Sequence, residues 1–457
     1  MGIDNLHNSG APSNYELLHA LPILRESKSK PLPLASALST LRTFFQSIEI
    51  GLLNVADLLR GAARNLADDD ASRGAAKLRW VRGFHHLIGQ LCFSPCLFRG
   101  SNQIEPANPW NPYDSPGVAG FLAAQQEFDD TFTRWLAKGR SEKAAVFSSA
   151  SLEDSIASLF HWVRICNHEA TIWEGALSSC LIPDEVAPYV EFIGATALKE
   201  AVAGDYERQD DFLTVFRGLH QIPETLAAEA NDHLEQIIRE VRSGKWEQAA
   251  VRFQMVNDMV ARMIDAAVLM VDNLPMADYH TVRDRLRQQS SGIHSVAIHY
   301  HLFGDLYEQL VAEVCRLNET DENCPGNGQR NLMELTLQFR MSIMRWRGIH
   351  FHWPRNHLGS MGTRSLIGSD AMAVTNRLRS GLPLDADFAR AAHRFGIAWP
   401  VNVGGPIAAR LAVPDSLDSR LLTLTGEIAR NRYPEVQSRT GPYGRPDTFR
   451  PPARRVV

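Results

Sequence analysis

Five residues in this chain have types and spacing suited to chemistry. Phe216 and His220 stand four apart in PheArgGlyLeuHisGln, Tyr279 and Arg283 repeat that interval in TyrHisThrValArg, and His350 closes TrpArgGlyIleHis. Residues four apart on a helix share a face, so each pair can point into one pocket. Between them they supply an apolar wall, a base that is neutral near physiological pH, a guanidinium able to grip a carboxylate at two points, and an imidazole able to ligate iron. Each also has a plainer reading. His350 could cap carbonyls at a helix end, and His352 and His357 compete with it for any ligand role. Arg283 opens the charge-rich run ArgAspArgLeuArg, which also suits a solvated face. Phe216 and His220 could be ordinary core side chains.

The elements that must carry these residues read as helices. Apolar residues recur at three- and four-residue steps from Leu34 to Leu91, with a polar break at Ala67–Ser72, and again at 118–138, 151–178 and 184–204. The clearest periodicity runs from Asp210 to Cys315; it is interrupted at 243–245 by SerGlyLys and by a turn before Tyr279. Pro223 lies three residues after His220, so a helix either starts or kinks there. A polar loop is expected at 318–330, then a helix from Asn331 to about His352, ended by Trp353–Pro354. The proline-rich stretch 94–117 excludes regular helix and central strand. With no alternating strand pattern of any length, the expected fold class is all-α.

Composition bounds the function. Of 457 residues 44% are apolar, enough for a sizeable core, and the net charge of −5 argues against general nucleic-acid or anionic-membrane binding. The six cysteines form no CxxC pair, so buried reduced thiols are the default. The N-terminal residues lack signal-peptide character and no apolar run approaches ~20 residues, so a cytoplasmic protein without a membrane span is expected. Residues 1–33 read as a flexible arm, 34–205 as an N-terminal helical half, 206–432 as the domain carrying the candidate site, and 433–457 as an extended tail. A shift of 175 residues lays Phe45-Gln46 on His220-Gln221 and matches Glu49 with Glu224, Asp57 with Asp232, Leu59 with Leu234, Arg64 with Arg239, Ala75 with Ala250 and Val81 with Val256. That pattern admits a degenerate repeat with Phe45 in the place of His220, although two amphipathic helices also match by composition alone.

The stretch 210–375 resembles tryptophan 2,3-dioxygenase, a haem enzyme that opens the indole ring. Phe216, His220, Gln221 and Glu224 follow that family's first motif in order. Asp278, Tyr279, Arg283, Ser291 and Gly292 follow its second, with one extra residue before the Ser-Gly pair, and Trp346, Arg347, His350, Gly359, Gly362 and Thr363 its third. The resemblance implies an all-α bundle of that family's type, haem b, and His350 as the axial ligand of its iron. It implies that His220 is the distal catalytic residue and faces the indole N–H. Arg283 would clamp the substrate carboxylate, with Phe216 and Tyr279 against the ring and Thr363 at the amino-acid end. Ser291, Gly292 and Trp346 would line the haem pocket. The implied reaction inserts both atoms of dioxygen across the indole C2–C3 bond of tryptophan or a substituted indole amino acid, giving an N-formylkynurenine-type product. A homo-oligomer is implied too, although a fused first half could replace a neighbouring subunit.

The departures point to alternatives. The family's glycine-rich loop appears here as Gly362-Thr363-Arg364-Ser365, where Arg364 could pair with a haem propionate or narrow the substrate site. Leu226 stands where the family has an aromatic, and residues 1–200 have no counterpart in a short dioxygenase. A relative that mono-oxygenates or rearranges an aromatic amino acid is the runner-up. A non-catalytic haem-binding or scaffold protein is the reading from another class.

Overall fold

Ser36 begins the described helices. Its hydroxyl accepts the Ser39 N–H while the Ser39 hydroxyl accepts the Ser36 N–H, a reciprocal cap that starts α1 (Ala37–Ala67). Asp69, at φ 60°, turns the chain, and Asp70 accepts the Arg73 N–H to start α2 (Ala71–Cys92). This computed structural model describes residues 36–96, 107–109, 115–142, 150–177, 181–183, 189–203, 211–273, 296–320, 327–358, 385–395 and 397.

The chain continues through α3 (Pro116–Glu142), α4 (Ala150–Leu177), the single turn α5 (Tyr189–Phe192) and α6 (Ala195–Ala203). Then come α7 (Asp211–Arg242), α8 (Trp246–Asn273), a π-helix (Val296–Asp305), α9 (Leu306–Thr320), α10 (Asn327–Leu358) and α11 (Asp385–Arg394). Among the described residues the only β-structure is a short antiparallel ladder. It joins β1 (Ala107–Pro109) to β2 (Leu181–Pro183), with Asn108 opposite Ile182. Two edges and no central strand are what the prolines allow. The architecture is therefore all-α, as expected. The arm 1–33 and tail 433–457 lie outside the described residues.

Some boundaries differ from the sequence reading: α3 already begins at Pro116, inside the stretch expected to exclude helix, and α9 runs to Thr320, inside the expected loop. Helix α7 does not start at Pro223 but runs through it. Helix α10 runs through Pro354 to Leu358, and it begins at Asn327, inside the segment expected to be a loop. Neither proline ends its helix, because proline removes one backbone bond rather than all of them, and packing along a 32-residue helix can outweigh that loss. The break at Ser243–Lys245 is present: Gly244 adopts φ +73°, and Lys245 N–H closes back on the Glu240 carbonyl.

One packing order occurs twice. In the first half α1 packs on α2 and α3, and α2 on α4; in the second α7 packs on α8 and on the π-helix with α9, and α8 on α10. The halves meet through α1 on α7 and α2 on α8, within one compact unit. Asn54 meets Gly218, and Thr40 meets His233, so α1 and α7 run antiparallel. At that junction the Ser39 and Thr40 hydroxyls donate to the buried Glu229 carboxylate at 2.7 and 3.0 Å. Burial would raise the Glu229 pKa, but hydrogen bonds from His233, Ser39 and Thr40 hold it below the usual carboxylate range. Helix α6 lies against both α1 and α7.

Candidate functional site

Phe216 and His220 sit on the first turns of α7, Trp346 and His350 near the far end of α10. Each pair folds into the same local device. The His220 ring lies 4.3 Å from the Phe216 ring at 38°, and its Nδ1 is 2.7 Å from the Phe216 carbonyl. The His350 ring lies 4.5 Å from the Trp346 ring, also at 38°, with Nδ1 2.9 Å from the Trp346 carbonyl. A carbonyl only accepts, so Nδ1 carries the proton in both rings. In the neutral imidazole Nε2 then presents its lone pair.

Both rings are held neutral. Burial pushes the His220 pKa down to about 4; the hydrogen bond to the Phe216 carbonyl opposes this, and a charge on His350 would lower it further. Burial likewise lowers the His350 pKa, against the pull of the Trp346 carbonyl. Two histidines from helices α7 and α10 therefore lie within electrostatic reach of each other, although 130 residues separate them in sequence. His220 is only 6% exposed, whereas His350 keeps part of its surface open. A neutral, backbone-tethered imidazole fits an iron ligand, and the tether to a carbonyl is the usual orienting bond.

The base beneath His350 is aromatic. Trp346 is 2% exposed and packs edge-on to Phe303 of the π-helix at 6.2 Å. Phe303 meets Phe339 at 6.0 Å, and Phe339 meets Phe253 of α8 at 5.5 Å. Arg347 reaches the Phe303 carbonyl. Neither Phe303 nor the π-helix was legible beforehand, because ValAlaIleHisTyrHisLeuPheGlyAsp reads as an ordinary apolar run. Wide turns of this kind recur at functional sites. Two buried arginines were also missed: Arg217, beside Phe216, and Arg340 are 1% and 0% exposed. Gln221 and Glu224, quoted only as motif members, are both buried; the Gln221 amide donates to the Ala201 carbonyl of α6 at 2.9 Å.

Of the residues singled out from sequence, the structure brings together Phe216, His220, Trp346 and His350. Tyr279, Arg283, Ser291, Gly292, Thr363 and Arg364 lie outside the described residues, as do the side chains of His352 and His357. Among the described residues no cluster of three or more His, Cys, Asp or Glu could hold a bare metal ion. None of the described helices is long and apolar enough to cross a membrane. No protein-family model, curated protein or solved structure matches the chain.

Proposed function

We propose that the chain is a haem-dependent oxygenase of tryptophan or a substituted indole amino acid, dioxygenating the indole C2–C3 bond to an N-formylkynurenine-type product. The observation that carries this reading is the convergence of His220 and His350. They are two neutral imidazoles on different helices, each backed by an aromatic and each with Nδ1 tied to its own helix. The ordered motifs of 210–375 add the resemblance to the tryptophan 2,3-dioxygenase family.

His350 is the residue that would hold haem b; a porphyrin brings four nitrogens of its own, so one protein imidazole suffices. Bound haem supplies the activation of dioxygen. The remaining work belongs to the protein. His220 stays neutral at physiological pH, and its Nε2 lone pair can accept the indole N–H. Phe216, stacked on His220, gives the flat ring an apolar edge. Trp346 and Phe303 fix the turn beneath His350. Arg283 remains the proposed carboxylate clamp, with Tyr279 and Thr363 beside the substrate, as the resemblance implies. Holding the indole in one orientation is the protein's main contribution to rate.

Arg364, where the family has glycine, favours a second reading: mono-oxygenation or rearrangement of an aromatic amino acid. One experiment tests both. The full chain is purified with haem, its visible spectrum is recorded with and without tryptophan, and the product is weighed. A Soret band that shifts with tryptophan and a product heavier by two oxygens support dioxygenation. A gain of one oxygen selects the second reading, and absence of a Soret band overturns both.

A further inference from the structure

We propose that the N-terminal helices act as a brace for the wall that carries Phe216 and His220, with Asn54 as its positioning residue, seated on Gly218 from behind. Successive helical residues turn by ~100°, so Gly218, two positions from each, lies on the side of α7 away from the Phe216–His220 face. That rear side is where α1 crosses. A Cβ added at Gly218 would run into the Asn54 amide, lying 2.7 Å from its Cγ. Asn54 is 0% exposed and its Nδ2 donates to the Ile50 carbonyl at 2.8 Å, which fixes the head group in place. Its Oδ1 has no hydrogen-bond partner among the described residues. The bond to Ile50 holds the amide within its own helix, and its fit against a glycine is what it offers α7.

A second tie acts at the next turn. Gln221, adjacent to His220, donates to the Ala201 carbonyl, while Gln46 of α1 donates to the Ile193 carbonyl at 2.9 Å. Helix α6 is thus tied near both ends by two glutamines that the 175-residue shift superposes. The same shift lays Phe45 on His220. Phe45 is fully buried, edge-on to Tyr189 at 5.5 Å, and Glu49, the counterpart of Glu224, accepts the Tyr189 hydroxyl at 2.8 Å and the Gly117 N–H at 2.6 Å. Where the second half presents His220, the first half is filled with side chains. It serves as a backing, not as a second site.

The proposal rests on the oxygenase reading only for its rate measurement. Full-length wild type, N54A, G218A and the G218A/N54A double variant are compared by kcat and KM on tryptophan. They are also compared, without added haem, by the rate at which diethyl pyrocarbonate modifies His220, mapped by mass spectrometry. A misplaced wall lowers kcat of G218A by roughly ten- to a hundred-fold with KM changed less. His220 becomes several-fold more reactive; N54A, which empties the space behind Gly218, shifts both readouts the same way by less, and in the double variant the new methyl takes the place of the trimmed amide and restores both. G83A is the control. Its added methyl meets Leu269 at the α2–α8 junction, so it should lower the melting temperature and leave kcat and His220 reactivity unchanged. If G218A does not fold, a double variant that folds and reacts like wild type supports the proposal. G218A that matches wild type, a double variant as impaired as G218A, or G83A that loses kcat equally overturns it. If wild type binds no haem the oxygenase reading fails, and His220 reactivity still decides the brace.

Discussion

What an imidazole can do depends on which nitrogen carries its proton. His220 and His350 give Nδ1–H to a carbonyl one turn back and keep Nε2 as a lone pair. His233, on the same helix as His220, is set the other way: Arg252 faces its Nδ1 at 3.3 Å, and Nε2 lies against Thr40 and Glu229 at 2.8 and 3.1 Å. A guanidinium can only donate, so Nε2 carries the His233 proton. One scaffold therefore makes two histidines acceptors and one a donor. Replacing His350 with Ala should abolish the Soret band of haem-reconstituted protein. A full-intensity band of unchanged position would move the ligand role to another histidine. His220→Phe keeps an aromatic ring against Phe216 and removes the acceptor. It should retain haem and slow turnover by about ten- to a hundred-fold, the worth of one unmet hydrogen bond, in steady-state assays. The four-residue spacings were legible in sequence because helical geometry is fixed. Neutrality was expected from the ordinary imidazole pKa, but the tautomer was not legible, because it depends on the rotamer and on what surrounds the ring.

At the scale of elements, periodicity located the long helices and the breaks within Ala67–Ser72, which the structure narrows to Asp68–Asp70, and at Ser243–Lys245, where special backbone conformations are needed. At Pro223 it left a start or a kink open, and the helix does not start there; at Pro354 it expected an end, and the helix runs on. Pro223 has no N–H for the Leu219 carbonyl, and Pro354 has none for the His350 carbonyl, so each weakens its helix close to a site histidine. Local sequence signals such a residue as a stop; only the packing of α7 on α1, α8 and α9 shows why the helix continues. The Pro223→Ala change restores a backbone bond in a position where proline costs about 3 kcal/mol relative to alanine. It should raise the urea midpoint by the equivalent of about 1–3 kcal/mol, because packing along the helix has already accommodated the proline. If the bond missing at Pro223 sets the direction of the His220 turn, kcat should fall as stability rises. A stabilised variant with unchanged kcat would assign Pro223 to the fold alone.

For the whole molecule, one packing order recurs in both halves, while the 175-residue shift relates them only through a few scattered identities. Helix-to-helix order cannot be read from composition, since any amphipathic helix can pack on any other. That shared core also buries titratable groups, which links the stability of the molecule to pH. Besides His220, burial drives His85 down to about 3; it lies on α2, 1% exposed and edge-on to Phe121 at 5.5 Å. Both rings stay neutral in the fold and take up a proton near pH 6.5 once the chain unfolds. Acid therefore favours the unfolded state: the loss begins as pH falls through about 6.5 and is complete only below the folded-state values of about 3 and about 4. Glu49 acts in the opposite sense. Burial raises its pKa, so it protonates earlier in the fold than in the unfolded chain and offsets part of the loss. Glu229 adds to the loss below its unfolded value, because its partners hold its pKa down. His85→Leu isolates one contribution. Between pH 7 and pH 4.5 the wild type should lose roughly 3 kcal/mol more than H85L, at 1.36 kcal/mol per pH unit, whatever the variant's stability at neutral pH. Urea unfolding at the two pH values measures that difference directly, and parallel losses in the two proteins would show that His85 takes up its proton without unfolding the core around α2.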